Sequence, residues 1–403
     1  MALETRTLSA DDIDGVWEVL ERAFGGDNNP DNRPVEFALV DPKRFYGTYD
    51  GDEPVATGGS FDLTMTIPGG ARQVAGVTWI GVSPTHRRRG LLTGMKRRML
   101  DDLHAAGEPV AALWASEGAI YQRFGYGPAA WNVALTVPSH AAFNRPVAVG
   151  DVRLTAPDAA VLAPVFDEVA AQSLGWSARD AKWWDYRLYD PAHNRSGASP
   201  LRAVLADGPE GVDGYALYST KQDWEGGMSS SKVLVREVVA KHADARARLW
   251  RYLLDLDLMK TVNAYLAGID DPLLHLLAEP RAAQAKLKDN LWVRLVDVPA
   301  ALSSRAYATE VDVVLEVEDA FCPWNAGRYR LTGGAGGATC QPTKDPADLA
   351  VQVGDLGAAY LGGTTLVARA AAGHLMELRA GTLAPASLAF SWPGSAPYAP
   401  LVF

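Results

Sequence analysis

The stretch Val77–Thr93, which reads VTWIGVSPTHRRRGLLT, decides the fold of the first third of the chain. Its apolar and β-branched start predicts a buried strand over Ala75–Val82, and the period of the residues after it predicts a helix over Arg89–Ala106. The turn between them is basic and contains Gly90, which allows a backbone to approach a ligand closely. A helix N-terminus with free N–H groups and nearby arginines suits a pyrophosphate. The P-loop pattern GxxxxGK[ST] and the dinucleotide pattern GxGxxG are both missing from this turn.

The segments around this stretch predict a mixed α/β domain. Apolar residues at helical or alternating spacing, bounded by Gly and Pro, define the elements. In order, they are a helix over Ala10–Phe24, a polar loop over Asp27–Pro34, strands over Arg44–Tyr49 and Pro54–Thr66, a strand over Val110–Ala115 and a short helix over Gly118–Phe124.

The remainder of the chain predicts two further parts. In the middle part a strand again runs directly into a helix, which indicates a degenerate internal duplication. Its elements are helices over Asp158–Ser173 and Ala178–Leu188, strands over Ala203–Ala206, Gly214–Tyr218 and Val233–Ala240, and a helix over Ala243–Leu256. The last part reads as a small α+β domain, with strand-like Val311–Val317, the turn Gly333–Gly337, the segment Asp355–Tyr360, a helix over Leu366–Ala372 and an apolar, packed C-terminus.

Composition excludes several classes of protein. The 403 residues carry 48 acidic and 38 basic side chains, a net charge of −10, which argues against a general nucleic-acid binder and for cationic partners. Two cysteines, Cys322 and Cys340, cannot form a disulfide framework or a thiolate zinc site, and the seven histidines show no ligand spacing, so no metal is expected. No apolar run reaches the ~18 residues of a membrane span and the start has no signal pattern, so a cytoplasmic protein is expected.

The turn Arg87–Leu92 resembles the acyl-CoA turn, R-x-x-G-x-G/A, of the GNAT N-acetyltransferases. The wider match, PTHRRRGLL at Pro84–Leu92 and ASEGAIYQRFGYGP at Ala115–Pro128, resembles the actinobacterial enhanced intracellular survival (Eis) proteins, in which Leu at position 92 is usual. The resemblance extends over the whole chain, including the Val298–Leu302 junction and a terminal Phe.

This resemblance implies a mixed α/β chain of tandem GNAT folds followed by a sterol-carrier-protein-like domain. The implied boundaries are a catalytic GNAT domain over 1–148, a degenerate GNAT-like domain over 149–296 and the C-terminal domain over 297–403. Lys241–Arg246, where the second turn would lie, has no glycine and one arginine. No nucleotide is therefore expected in the second domain.

The resemblance also implies acetyl-CoA as co-substrate and assigns its contacts. Strand residues Ile80, Gly81 and Val82 would pair with the pantetheine amides, although alone they read as an ordinary core strand. Turn residues would hold the pyrophosphate, chiefly through backbone N–H groups, where the alternative is a solvated basic helix start; His86 would cap or flank this turn. These turn residues are Arg88, Arg89, Gly90, Leu91, Leu92 and Thr93. Ser116 and Glu117 would contact the acyl-CoA arm, and Ser116 is also a candidate helix N-cap.

Two residues are implied as catalytic. Tyr121 would be the general acid that protonates the CoA thiolate; Tyr126, between two glycines, is its rival but reads more as a packing or turn residue. The C-terminal carboxylate of Phe403 would be the general base, where residues alone favour a docked apolar tail.

The expected reaction is direct attack of a primary amine on acetyl-CoA. Acidic and aromatic side chains suit a polycationic amine, and the candidates are Glu21, Asp27, Asp31, Glu36 and Trp79. The resemblance implies aminoglycoside-like or lysine substrates and a homohexamer. The alternative function is a non-catalytic protein that binds acyl-CoA or lipid.

Overall fold

The computed structural model of the chain describes residues 3–26, 29–147 and 152–403. Asp27 and the expected boundary at 148/149 lie outside these described residues. The chain divides into two compact units, the first formed by Met1–Ala130, Asn290–Gly394 and Val402–Phe403 and the second by Trp131–Asp289 and Ser395–Leu401. Within the described ranges, no helix combines the length and the apolar character needed to cross a membrane.

The strands are numbered in chain order. They are β1 Glu4–Thr7, β2 Phe45–Asp50, β3 Glu53–Ile67, β4 Gly70–Val82, β5 Val110–Trp114, β6 Gly127–Pro128, β7 Trp131–Pro138, β8 Val152–Thr155, β9 Arg202–Gly208, β10 Gly211–Lys221, β11 Trp224–Glu225, β12 Met228–Ser229, β13 Lys232–Ala240, β14 Thr261–Gly268, β15 Lys286–Asp289, β16 Leu291–Leu295, β17 Val311–Glu318, β18 Gly327–Gly334, β19 Gly337–Pro342, β20 Leu349–Gln352 and β21 Leu375–Glu377.

The α-helices are numbered in the same way. They are α1 Ile13–Phe24, α2 Arg33–Phe37, α3 Leu91–Ala105, α4 Gly118–Gln122, α5 Ala159–Ala170, α6 Ala181–Leu188, α7 Ala243–Leu254, α8 Pro272–Leu276, α9 Val298–Ser304, α10 Val353–Ala359, α11 Leu366–Ala371 and α12 Leu383–Phe390.

The first unit contains a seven-stranded sheet in the order β1-β2-β3-β4-β5-β16-β6. The pairing of β4 with β5 is parallel and covers only Ala75–Val77 against Ala111–Leu113. Beyond this point β4 continues to Val82 along β3, without β5 beside it in the ladder. The two strands therefore separate at their carboxyl ends, just before the basic turn and α4.

The second unit contains a seven-stranded sheet that repeats this arrangement, in the order β15-β7-β14-β13-β10-β9-β8. Its parallel pair, β13 with β14, is aligned over Lys232–Val235 and Thr261–Ala264, and α7 follows β13 as α3 follows β4. The order of elements matches the predicted duplication. Two strands join the sheet of the other GNAT-like part. β7 follows the strands of the first sheet in the chain but belongs to the second sheet, and β16 follows those of the second sheet but lies in the first, between β5 and β6.

The first unit also holds a five-stranded sheet in the order β19-β18-β17-β20-β21, with α9 to α12 around it. The segment Asp355–Tyr360, grouped above with strand and turn features, lies largely in helix α10. Gly357 explains why α10 can lie against β16. A Cβ at Gly357 would be 2.3 Å from the carbonyl oxygen of Val293, so the helix backbone contacts this strand directly.

The predicted polar loop over Asp27–Pro34 differs from the structure where it is described. Pro30–Asn32 forms a 3-10 turn and α2 starts at Arg33. The side chain of Asn29 accepts a hydrogen bond from the N–H of Asp31, which caps the turn, and Pro34 fits a first helical turn because it needs no donor there. The polar composition masked these helix-start signals.

Candidate active site

A cavity of about 750 Å³ opens where β4 and β5 separate. Its walls come from the end of α1, the end of β4, the basic turn with the start of α3, and α4 with the residues before it. The lining residues are Ala23, Phe24, Ile80, Gly81, Val82, His86, Arg87, Arg88, Gly90, Leu91, Leu92, Thr93, Ser116, Glu117, Ile120, Tyr121 and Arg123. The structure thus brings together every residue predicted to contact acetyl-CoA except Arg89, whose side chain is exposed on the turn.

β4 reaches the cavity through a bulge. The register of β3 against β4 shifts between Thr57 and Gly59, and Trp79 adopts a φ of 55°. A left-handed conformation of a non-glycine residue costs roughly 1–2 kcal/mol, so packing must hold it. The Trp79 ring meets the rings of Trp17 at 5.4 Å and Phe45 at 5.2 Å, both edge to face. Such bulges re-aim a strand beside a site.

The turn after β4 leaves the start of α3 open to a ligand. Gly90 is the N-cap residue, with a φ of 83° and no side chain to cap the helix. A Cβ at Gly90 would meet no atom within 4 Å, so the glycine is favoured by the positive φ and not by a lack of space. Arg88 also has a positive φ, 63°. The first N–H groups of α3, which have no partner inside the helix, are next to the cavity, where an anion would be stabilised.

Two of the basic side chains of the turn make contacts within the protein. Arg87 donates to the carbonyl of Ala23 over 2.8 Å, which ties the turn to the end of α1. His86 lies within 2.9 Å of the Thr85 hydroxyl and 3.4 Å of the Asp50 carboxylate, so it fastens the turn to the adjacent sheet while lining the cavity. Arg88 is exposed and lines the cavity beside Arg87.

Tyr121, on α4, also lines the cavity. Its side chain is 5% exposed, and burial raises the pKa of its phenol, with the charge of Glu117 acting in the same direction and a hydrogen bond with Ser116 opposing both. The phenol is therefore protonated at neutral pH, as a proton donor must be. Glu117, not Ser116, is the N-cap residue of α4, so the expectation of Ser116 as N-cap is wrong.

Tyr126 lies behind Tyr121 and not in the cavity lining. The two rings meet edge to face at 6.1 Å, and Tyr126 is 1% exposed. Its hydroxyl accepts a hydrogen bond from Lys96 over 2.9 Å. A Cβ at Gly125 would lie 1.9 Å from Arg294 Nη1, and one at Gly127 would lie 1.8 Å from the carbonyl oxygen of Gly354. The absence of side chains at Gly125 and Gly127 thus leaves space for Arg294 and Gly354, which come much later in the chain.

The ring of Phe403 lies against the middle of β4. A Cβ at Gly76 would lie 2.4 Å from Leu63 Cδ1 and 3.2 Å from Phe403 Cε2, so the glycine leaves room chiefly for Leu63 and has the Phe403 ring close by. Phe403 is partly exposed and lies outside the set of residues that line the cavity. The ring position brings the chain end to the same strand that carries Ile80–Val82.

The acidic candidates lie in different surroundings. Burial raises the pKa of Glu36 to about 7, and its neighbour Phe37 packs on Trp79 with ring centres 6.0 Å apart. Glu21 accepts a hydrogen bond from Trp17 Nε1 over 3.1 Å. The exposed side chain of Asp31 belongs to the short turn before α2. Glu36 and Glu21 thus flank an aromatic cluster of Trp17, Phe37, Phe45 and Trp79.

Several lining residues had no assigned contact in the sequence-based prediction. They are Ala23, Phe24, Arg87, Ile120 and Arg123. A Cβ at Gly81 would lie 3.2 Å from Ala23 Cβ, so α1 joins the site through a close approach that sequence spacing does not show. In residues 3–26, 29–147 and 152–403, no group of three or more His, Cys, Asp or Glu side chains could hold a metal ion.

Models of protein families match three consecutive parts of the chain. Residues 4–129 and 175–295 each match an acetyltransferase (GNAT) domain, and residues 298–400 match a sterol carrier protein domain. The mixed α/β fold of tandem GNAT domains and a sterol-carrier-like domain is thereby confirmed.

Relatives and solved structures agree with these matches. An uncharacterised N-acetyltransferase of Streptomyces avermitilis is 44% identical over 398 residues, 97% of each chain. The N-acetyltransferase Eis of Mycobacterium tuberculosis is 36% identical over 342 residues, 82% of this chain and 81% of that protein. The crystal structure of Eis1 from Mycobacterium abscessus superposes with a TM-score of 0.86 at 32% identity, covering both chains fully. A GCN5-related N-acetyltransferase from Anabaena variabilis, at 18% identity and a TM-score of 0.85 over both whole chains, shares the fold. The chain is an N-acetyltransferase of the GNAT superfamily and belongs to the Eis family.

Proposed function

We propose that this enzyme transfers the acetyl group of acetyl-CoA to a primary amine of a cationic substrate, either aminoglycoside-like or a lysine side chain. The observation that supports this most directly is the cavity between the separated strands β4 and β5. It combines an uncapped helix N-terminus behind Gly90 with Tyr121 among its lining residues. The first suits a pyrophosphate, and the second suits a leaving thiolate.

Each part of the site has a role in the proposed reaction. The turn residues bind the pyrophosphate, and the backbone of Ile80–Val82 orients the pantetheine arm and polarises the thioester carbonyl. The amine nitrogen attacks the carbonyl carbon, so a C–N bond forms and the C–S bond breaks. Tyr121 gives its hydroxyl proton to the departing sulfur, and the carboxylate of Phe403 accepts the proton that the nitrogen loses.

The carboxylate is a demanding base. An α-carboxyl group has a pKa near 3.5 and a lysine-like amine near 10, a mismatch of roughly 9 kcal/mol at 1.36 kcal/mol per unit. The proposal therefore requires a partly desolvated carboxylate, transfer through a water molecule, or an amine whose own pKa is lowered. The position of the Phe403 ring at Gly76 supports this role by bringing the chain end to β4.

Other expectations belong to the same proposal. They include the homohexamer, the cytoplasmic location and domain boundaries at 148/149 and 296/297. The exchange of β7 and β16 between the sheets means that a catalytic domain cut at 148 would lack a strand of its own sheet. The alternative of a non-catalytic acyl-CoA or lipid binder is set aside, because the chain belongs to a family of N-acetyltransferases.

A panel of amine acceptors, scored by release of free CoA thiol, tests the proposal. Polyamines, aminoglycosides and lysine peptides should release thiol, and matched polyols without amines should not. Calorimetry with acetyl-CoA alone separates binding from turnover: a protein that binds no acetyl-CoA would refute the proposal.

A further inference from the structure

The second GNAT domain keeps the strand separation that forms the cofactor cavity in the first. The parallel ladder of β13 and β14 ends at Val235 and Ala264, as that of β4 and β5 ends at Val77 and Leu113. β13 then continues to Ala240 along β10, without β14 beside it in the ladder, and α7 begins at Ala243. A cleft is therefore built into the second sheet at the corresponding place.

The start of α7 is capped by a side chain, unlike the start of α3. The His242 side chain caps the helix by accepting a hydrogen bond from the N–H of Ala245 over 3.3 Å, while its other ring nitrogen lies 3.1 Å from Asp213. Arg246, the one arginine of this turn, is paired with the carboxylate of Asp271. One of the first N–H groups of α7 and the positive charge of Arg246 are thus already used within the protein.

The cleft is filled by the chain itself. The space that is left measures about 10 Å³, enough for about one water molecule, and Tyr398 and Pro400 line it together with Val235, Arg246 and Trp250. Arg246 Nε and Trp250 Nε1 are buried there without a protein partner. The remaining space has room for a single water near these two nitrogens and none for a cofactor arm.

Tyr398 is held on several sides. Its N–H donates to the carbonyl of Leu174 over 3.1 Å, and its ring meets the Trp176 ring edge to face at 5.8 Å. The ring also lies over Gly268, where a Cβ would be 3.4 Å away, and its phenol interacts electrostatically with Arg246. At the rim, the N–H of Ala396 donates to Asp270 over 2.7 Å. The segment Ser395–Leu401 is thus bound as a peptide would be.

We propose that the second GNAT domain has kept its cleft as a receptor for the C-terminal segment, with Tyr398 as the anchoring residue. The anchor lies five residues before Phe403, so the chain can carry the terminal carboxylate at most about 18 Å from Tyr398. Tyr398 is accordingly a positioning residue for that carboxylate, a consequence that rests on the proposed function of Phe403.

The test measures tail release and catalysis in the same full-length variants. Tyr398→Ala removes the anchor, Tyr398→Phe keeps the ring but not the hydroxyl, and Asp270→Ala loosens the rim without touching the cleft. Tyr265→Ala, on an exposed side chain of the same sheet, is the matched control. Tail release is the rate at which a carboxypeptidase removes Phe403, followed by intact mass; catalysis is kcat and KM for acetyl-CoA.

Tyr398→Ala should lose Phe403 about tenfold faster than the wild type, Asp270→Ala about threefold faster, and the Phe variant and the control at nearly the wild-type rate. The kcat of Tyr398→Ala should fall about tenfold with KM for acetyl-CoA unchanged. Wild-type release rates in both Tyr398→Ala and Asp270→Ala would overturn the proposal. Faster release with unchanged kcat would support the anchor and count instead against Phe403 as the base.

Discussion

Lys96 Nζ donates a hydrogen bond to Tyr126 Oη over 2.9 Å, and both side chains are buried beside Tyr121. This pair separates the roles of the two tyrosines. Tyr126 has its hydroxyl engaged by Lys96, whereas Tyr121 lines the cavity. The geometry therefore supports Tyr121 over Tyr126 as the proton donor.

Tyr121→Phe should lower kcat by about 10²–10⁴-fold with little change in KM for acetyl-CoA, because loss of a general acid affects the transition state. Tyr126→Phe is the matched control: kcat should change little, while the free energy of unfolding falls by about 1–2 kcal/mol because Lys96 loses its acceptor. Steady-state thiol release and urea unfolding measure both. Equal kcat values for Tyr121→Phe and the wild type would remove Tyr121 from the mechanism.

A peptide tag fused after Phe403 should reduce kcat at least about tenfold without lowering Tm, because it replaces the terminal carboxylate by an amide. The same tag at the N-terminus controls for the added chain. Thiol release and thermal unfolding are measured on both proteins. Full activity of the C-terminally tagged enzyme would show that the carboxylate is not the base.

Gly90→Ala should raise KM for acetyl-CoA about tenfold, because an alanine at a φ of 83° is strained by about 1 kcal/mol and the turn must shift to relieve it. Gly94→Ala is the matched control within the same helix, where a Cβ would meet nothing within 4 Å. That variant should keep KM and gain about 0.5–1 kcal/mol of stability. An unchanged KM in Gly90→Ala would mean that the turn does not hold the cofactor.

Lys96→Met should change how stability depends on pH. Burial lowers the pKa of Lys96 to about 7, and the charge of Arg294 acts in the same direction. Between pH 7 and the ordinary lysine pKa near 10.4, the unfolded chain binds a proton that the folded chain does not, so Lys96 destabilises the fold progressively as the pH falls. The free energy of unfolding of Lys96→Met relative to the wild type should therefore rise by roughly 1 kcal/mol per unit as the pH falls from 10 to 7.

Urea unfolding at four pH values in this window measures the effect. Lys43→Met, on an exposed side chain, is the control and should follow the wild type. At pH 10 the Lys96 variant should be the less stable one, because Tyr126 then lacks its buried partner. Parallel curves for Lys96→Met and the wild type would contradict burial of a neutral lysine.

Local patterns were enough to predict the cofactor wall of the cavity. The β-branched run Ala75–Val82, the basic turn and the helix after Gly90 depend on contacts within about twenty residues, where spacing and glycine placement carry the information. Gly25, Gly125 and Gly373 likewise end predicted helices with positive φ angles of 67°, 79° and 79°. For these elements the prediction and the structure agree, because each element is specified by its own residues.

The residue patterns alone could not show which sheet a strand joins. The strands β7 and β16 were not predicted, and each belongs to the sheet of the other half of the chain. The residues of a short apolar strand do not indicate which strand it pairs with, because the backbone hydrogen bonds of a ladder are the same for every sequence. The partner is selected by the fit between side chains that lie far apart in the chain.

By itself the sequence determined the family, the order of its domains and the turn at Gly90, because these follow from local patterns and contiguous motifs. Only the tertiary structure decided why Gly125 and Gly127 flank Tyr126, how Lys96 is accommodated and where Tyr398 is bound. Each of these depends on backbone or side chains that approach from far along the chain: Arg294, Gly354 and Leu174. Such contacts are fixed by the exclusion of water and by close packing of the whole fold, which no short stretch of residues encodes.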